Sequence, residues 1–199
     1  MARTLNLEAR EKILKAAAGL IHERGFRDVS MEDVSEEAGI KKANLFHYYP
    51  TKEALGLAVL DFVSQPMKDK VAERFSRGTG DPIKMVEGMF AEVADGMRRG
   101  GCHKGCFFGN LAQELSDLDE RMRGKIAEHF RFWSDQIADA LERSRRAGYF
   151  KSALKSRGAA QAILSLFEGA MTLCKAEKDA GPLDDARKAA SDYLHAYKV

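Results

Sequence analysis

The sequence has little of what would mark a secreted or membrane-bound protein. Its three cysteines are an odd number at irregular spacing, which argues against a small domain held together by disulfides. Residues 1–8 lack the apolar core of a signal peptide. No window approaches the roughly 18 uncharged apolar residues that a membrane helix needs. We therefore expect a cytoplasmic protein with no membrane partner.

Proline is also scarce, and neither sign of charge dominates. The 199 residues include four prolines, and the 31% of charged residues give a net charge of only +2. So small a net charge gives no argument for nucleic-acid binding, which the local placement of basic residues must support instead. Few prolines, together with 45% hydrophobic residues, favour a helical protein with a substantial core.

The sequence also lacks recognisable catalytic patterns. None of its five histidines follows a glutamate by three residues, which is the spacing of the di-iron helical bundles. There is no His-Glu-x-x-His, no phosphate-binding loop and no Gly-x-Ser-x-Gly. We therefore predict a protein that is not an enzyme, with no catalytic residue, no metal and no cofactor.

What the sequence does contain is helical periodicity along almost its whole length. Apolar residues recur at steps of three and four, the spacing of an amphipathic helix, and this predicts an all-α protein of about nine helices. Ser30 with Asp33, Thr51, Asp81, and Ser116 with Asp119 are predicted to cap the helices that follow them. The breaks between helices are predicted at Gly25, Gly39, Pro50, 75–82, 100–101, 116–119, Gly148 and 181–182.

Residues 30–55 have the layout of a helix-turn-helix. Two short helices meet at Gly39, where a tight turn often needs a positive φ. In this motif the second helix enters the major groove of DNA. From Lys41 to Lys52 there are three lysines and no acid, whereas the preceding helix carries four acids. Basic charge is therefore concentrated where DNA binding requires it; a plain helical hairpin with a solvated lysine face is the alternative.

The residues from Ser30 to Leu55 also resemble the signature of the TetR family of transcriptional regulators, and the helix before Gly25 fits as well. The resemblance implies a helix-turn-helix DNA-binding head over residues 1–52. It implies a helical ligand-binding and dimerisation domain over residues 53–199. The alternative is a helical ligand-binding or adaptor protein without DNA binding, which would not need a basic second helix.

Carried over residue by residue, the resemblance implies a DNA-binding surface on the second short helix and at the start of the next helix. Phe46 departs from the family pattern, because it replaces a tyrosine whose hydroxyl contacts phosphate. Lys41 replaces the usual Ser or Thr cap, at a cost of about 1 kcal/mol. The residues implied to bind DNA are Lys41, Lys42, Ala43, Asn44, His47, Tyr48, Thr51 and Lys52, and those implied to hold the head together are Val34, Ala38, Leu45 and Tyr49.

The resemblance further implies the partners of such a regulator. The family consists mostly of repressors that bind palindromic double-stranded operators as homodimers. The last two helices would form the dimer interface as a four-helix bundle. Small residues along 152–178 suit close helix packing, although alanine-rich core helices are equally ordinary. A small-molecule effector would release the DNA.

Aromatic and methionine side chains in the second domain are candidates for an effector pocket. Such residues line pockets for apolar or aromatic ligands, and methionine suits an adaptable site. The alternative is an ordinary hydrophobic core. The candidate residues are Met89, Phe90, Phe107, Phe130, Trp133, Phe167 and Met171.

Cys106 is a candidate sensor of electrophiles or oxidants. Its Gly-Cys, placed before Asn-Leu-Ala-x-Glu, resembles a TetR subgroup in which some members sense through that cysteine. Basic neighbours and a helix start make a thiol more reactive, and Lys175 would lie near it in that subgroup. A buried structural cysteine is the alternative. A metal site from Cys102, His103 and Cys106 is less favoured, because the spacing is not that of a zinc pair.

Overall fold

A computed structural model describes residues 2–76 and 80–199, and these residues form an all-α protein. The predicted helical fold is therefore confirmed for the described part of the chain. Its nine helices are α1 (Ala2–Arg24), α2 (Met31–Glu37), α3 (Lys42–Tyr48), α4 (Lys52–Ser76), α5 (Pro82–Arg99), α6 (Phe107–Leu115), α7 (Glu120–Arg146), α8 (Ser156–Glu177) and α9 (Gly181–His195).

Three of the predicted helix caps are confirmed by their hydrogen bonds. The Ser30 hydroxyl accepts from the N–H of Asp33 at 3.1 Å, and the Asp33 carboxylate accepts from the N–H of Ser30 at 2.7 Å. The Thr51 hydroxyl accepts from the N–H of Ala54 at 3.1 Å, one turn into α4. Asp81 caps α5, whose first residue is proline, as predicted. Residues 77–79 of the predicted break at 75–82 lie outside the described residues.

The predicted cap at Ser116 is wrong. The N–H of Ser116 still bonds to the carbonyl of Ala112 at 3.3 Å, so Ser116 completes the last turn of α6 instead of starting α7. Asp119 alone caps α7, because its carboxylate accepts from the N–H groups of Arg121 at 2.9 Å and Met122 at 3.0 Å.

The described chain packs as two compact units, one formed by Met1–Pro66 with Phe107–Glu128, the other by Met67–Cys106 with His129–Val199. These units differ from the predicted division at residue 52, because the first unit continues into α4 and also contains α6 and the start of α7. Gly56 shows why: a Cβ there would lie 2.5 Å from the ring of Phe26 and 2.8 Å from the side chain of Met122. The division at residue 52 stays a prediction about where the DNA-binding head ends.

The second unit holds a continuous hydrophobic core. Its buried side chains come from α5, α7, α8 and α9 and from the end of α4, and they include Phe75, Phe90, Ile137 and Ile163. Within the described ranges, no helix has the length and apolar character to cross a membrane.

Candidate DNA-binding and effector sites

The helix α3 has one buried side and one exposed side. Leu45 is fully buried and Tyr49 nearly so, which matches their predicted role in holding the head together. The predicted DNA-binding residues are more accessible: Lys41, Lys42, Ala43, Asn44, His47 and Thr51 are exposed, and Tyr48 and Lys52 are half-buried. These eight residues, each at least partly accessible, are here called the α3 surface, and their role in binding DNA stays a prediction.

The charges on the α3 surface favour the binding of a polyanion such as DNA. Lys42 Nζ lies 3.0 Å from Glu32 Oε2, but both side chains are exposed, and such pairs contribute little to stability. Lys41 makes no cap hydrogen bond, as expected from its lack of a hydroxyl. Phe46 is 40% exposed, an apolar ring on an otherwise polar surface. Lys42 can therefore exchange its carboxylate partner for a phosphate at small cost.

Lys52 makes two contacts with the loop that follows α1. Its ammonium donates to the carbonyl of Arg27 at 2.9 Å and lies 4.8 Å from the centre of the Phe26 ring. The N–H groups of Phe26 and Arg27 donate in turn to the carboxylate of Glu114, at 2.9 and 2.6 Å. Sequence reasoning missed Glu114. The available signal was that it is the single charged residue of α6.

The candidate pocket residues mostly fill a core. Phe90 lies edge-on to Phe167 with ring centroids 5.3 Å apart, and Trp133 is tilted against Phe167 at 5.8 Å. Phe107 belongs to the other packing unit, where its ring lies 5.3 Å from that of His22. Met89, Phe90, Trp133, Phe167 and Met171 are buried together in the second unit, and Phe130 packs against them.

A cavity of about 160 Å³ lies beside two of these residues, Met89 and Trp133. The buried indole N–H of Trp133 has no hydrogen-bond partner among the described residues, and an unpaired buried donor of this kind is uncommon. Sequence reasoning missed most of the cavity wall, which α4 and α5 supply. The complete lining is Met67, Lys70, Val71, Arg74, Met89, Glu92, Val93 and Trp133.

The three cysteines have different surroundings. Cys102 is a core residue, and burial raises the pKa of the Cys174 thiol. Cys106 is only partly buried, so the alternative of a wholly buried structural cysteine fits Cys102 and Cys174 better. Where side chains are described, no group of three or more His, Cys, Asp and Glu residues is placed to hold a metal ion.

Cys106 has an acidic neighbour that the sequence reasoning missed. Its thiol hydrogen-bonds to the carboxylate of Glu168, and burial raises the pKa of Glu168 to about 7 despite that bond. Glu168 is the one acid of α8 before its last residue, Glu177, which was the available signal. Lys175 follows two turns later on the same side of α8, about 10 Å further along the axis. Its proximity to Cys106 stays a prediction.

Comparison with known families identifies both parts of the chain. Residues 13–59 match the family described as bacterial regulatory proteins, tetR family. Residues 82–189, which make up more than half of the chain, match the C-terminal domain of LmrA/YxaF-like transcriptional regulators.

Individual relatives match along most of the chain. The transcriptional regulator AcuR of Cereibacter sphaeroides is 24% identical over 88% of this chain and 80% of its own length. The repressor NemR of Escherichia coli is 25% identical over 90% of both chains. The crystal structure of reduced E. coli NemR superposes with a TM-score of 0.86, at 24% identity, over 93% of this chain and 96% of that one. The chain therefore belongs to the TetR family, whose members are helix-turn-helix transcriptional regulators and not enzymes.

Proposed function

We propose that this regulator is a cytoplasmic repressor that binds a palindromic operator as a homodimer and is released by a small electrophilic or apolar effector. The observation that carries the proposal is the α3 surface. It presents Lys41, Lys42 and Asn44 to solvent on a helix without any acid. Two curated relatives, NemR and the mycobacterial DhaR, are named as repressors, which supports the direction of regulation.

The dimensions of α3 fit the major groove. An α-helix with its side chains is about 10–12 Å across, and the groove is about 12 Å wide. An asparagine can form two hydrogen bonds to the edge of an adenine, so Asn44 is the residue that we assign to sequence reading. The lysines carry no sequence information of this kind, and we assign them to phosphates.

An exposed apolar stripe on α8 and α9 supports dimerisation through the last two helices. Along α8 it consists of Ala162, Leu166, Gly169 and Leu173, at steps of four, three and four residues. Leu166 and Leu173 are 39% and 51% exposed. Tyr193 of α9 is 37% exposed. Large side chains in a continuous exposed stripe mark an interaction surface, and this spacing is that of helix bundles. We propose that two copies of the α8–α9 stripe pack together.

For an electrophilic effector we assign the reacting atom to Sγ of Cys106. When the thiol adds to a maleimide, a bond forms between Sγ and one carbon of the C=C bond, and the π bond breaks. The electron pair of that π bond moves onto the adjacent carbonyl as an enolate. The thiol proton passes to the carboxylate of Glu168, which accepts the hydrogen bond. The enolate then takes up a proton, so no oxidant or further reactant is needed.

For an apolar effector the cavity beside Trp133 is the candidate site. Its volume of about 160 Å³ admits only a small molecule, well below the 300 Å³ or more of typical drug-sized pockets. Because Trp133 is the only tryptophan, its fluorescence reports binding at this site directly.

Binding of the purified protein to its own gene's upstream region, measured by fluorescence anisotropy, tests the proposal. We expect saturable binding that is stronger than to a scrambled duplex of equal length. Addition of N-ethylmaleimide should release the DNA from the wild type but not from Cys106→Ser. Equal affinity for both duplexes contradicts the operator half of the proposal, and release of the Cys106→Ser protein contradicts the electrophile half.

A further inference from the structure

Glu114 lies outside the helix-turn-helix, near the end of α6, yet its carboxylate binds the loop that follows α1. We propose that Glu114 positions Lys52 for DNA binding by holding the peptide of Arg27, and that it connects α6 to the DNA-binding surface in this way. The inference deepens the proposed function and rests on it, because it requires a protein that binds DNA.

The backbone of Arg27 is held on both sides. Its N–H donates to Oε1 of Glu114 at 2.6 Å, and its carbonyl accepts from Nζ of Lys52 at 2.9 Å. The N–H of Phe26 donates to Oε2 of Glu114 at 2.9 Å, and the Phe26 ring lies 4.8 Å from the Lys52 ammonium. Glu114 therefore fixes the two residues that fix Lys52.

The turn at Gly25 gives the loop the shape that this contact needs. Gly25 has a φ of +88°, which glycine adopts readily, and a Cβ there would lie 3.0 Å from Oε2 of Glu114. The carboxylate thus comes close to the backbone and takes two consecutive N–H groups. Hydrogen bonds to a charged acceptor are about twice as strong as neutral ones, so this contact differs from an exposed ion pair.

The other end of α6 contacts α1. The ring of Phe107 lies edge-on to that of His22 in α1, at 5.3 Å between centroids. One peptide bond joins Cys106 to Phe107. Both ends of α6 therefore contact α1 or the loop that follows it.

The direction in which Glu114→Gln changes DNA affinity separates the positioning of Lys52 from a general effect of charge. Glu114→Gln removes a negative charge, which by itself strengthens binding to a polyanion. Loss of Lys52 positioning weakens binding instead, since only one atom of the glutamine amide accepts hydrogen bonds. Asp117→Asn removes the same charge from an exposed side chain just beyond α6, and it is the matched control.

The test uses full-length protein and a duplex that the wild type selects from a random library. Affinity is measured by fluorescence anisotropy over a range of salt concentrations for Glu114→Ala, Glu114→Gln, Lys52→Ala and the double alanine variant. We expect Glu114→Ala, like Lys52→Ala, to weaken binding about tenfold and to flatten the slope of log Kd against log salt by about 0.9. Adding Glu114→Ala to Lys52→Ala should change the affinity by less than about twofold.

Additive losses in the double variant, or an unchanged salt slope in Glu114→Ala, overturn the inference and leave DNA binding intact. A wild type that enriches no duplex overturns the proposed function and this inference together. Thermal unfolding controls for misfolding. If Glu114→Ala unfolds at a lower temperature than the wild type, Glu114→Gln is compared with Asp117→Asn instead. If Glu114→Gln then binds DNA as tightly as Asp117→Asn does, the inference is overturned.

Discussion

The α3 surface and the surroundings of Cys106 differ in how their residues are arranged along the chain. All the DNA-binding candidates fall between Lys41 and Lys52, on one helix and the start of the next. Cys106 contacts Glu168, which lies on α8, much later in the sequence. The first arrangement follows from helix periodicity alone, whereas the second depends on how distant helices pack. We expect DNA reading to reside in the contiguous surface and its control in the packed region.

The largest effect is expected from breaking the α8–α9 stripe. Leu173→Glu places a charge on a surface proposed to be buried between two copies, so the protein should elute as a monomer in size-exclusion chromatography with light scattering. Its operator affinity should fall by roughly a hundredfold or more, because two linked heads gain that much from binding together.

Leu118→Glu is the matched control for Leu173→Glu. Leu118 is 61% exposed and belongs to the first packing unit, whereas the stripe belongs to the second. It should leave both the mass in solution and the operator affinity unchanged. A dimeric Leu173→Glu protein would contradict the proposed interface.

Asn44→Ala should lower the affinity for the operator by about tenfold to a hundredfold and remove discrimination at one base position. Its binding to a scrambled duplex should not change, because the side chain is assigned to a base and not to a phosphate. Selection from a random library measures the preference. An unaltered preference would mean that sequence is read elsewhere.

Lys52→Ala should weaken binding to the operator and to the scrambled duplex alike, by about tenfold, with a flatter salt dependence. Lys84→Ala, which removes an exposed lysine at the start of α5, is the control of equal charge. Similar losses in both variants would indicate a general effect of charge.

Glu168→Gln should change how stability depends on pH. The raised pKa of about 7, against an ordinary value of 4.5, means that folded Glu168 holds its proton more tightly than unfolded Glu168 does. Its contribution to stability is therefore complete below pH 4.5 and is lost as the pH rises through 7. From pH 5 to pH 8 the wild type should lose up to about 3 kcal/mol relative to the variant. Urea unfolding of both proteins at each pH measures the difference, and a constant difference would contradict the assigned environment.

The smallest effect concerns Glu32, the partner of Lys42. Glu32→Gln should strengthen DNA binding about twofold at low salt and not at all at high salt, because exposed pairs are weak and screened. Glu36→Gln removes an exposed acid from the same helix and is the control. An equal gain in both variants would assign the effect to net charge and not to the release of Lys42.

The sequence predicts best what depends on a few neighbouring residues. Helix periodicity and the caps at Ser30, Thr51 and Asp81 involve contacts within one turn, so the nine helices of residues 2–76 and 80–199 follow from the residues themselves. The cap at Ser116 is wrong because its N–H belongs to the preceding helix, and the local pattern does not distinguish a helix end from the next beginning.

Contacts between distant segments account for what the sequence does not predict. Glu114 meets Arg27 across 87 positions of sequence. Glu168 meets Cys106, and Gly56 admits the Phe26 ring, only because particular helices pack together. The cavity beside Trp133 depends on α4 and α5 in the same way. These residues look ordinary in the sequence, and their roles come from the fold.

The packing of α6 against α1 and the loop that follows it sets a rule for building chimeric regulators. A hybrid joined at residue 52 would take its α6 from the other parent, and the Arg27 loop would then face a foreign side chain in place of Glu114. A hybrid that inherits 107–128 together with its amino-terminal helices keeps both carboxylate bonds. Exchange of sensing specificity between relatives is therefore best attempted with two crossover points around α6 and the start of α7.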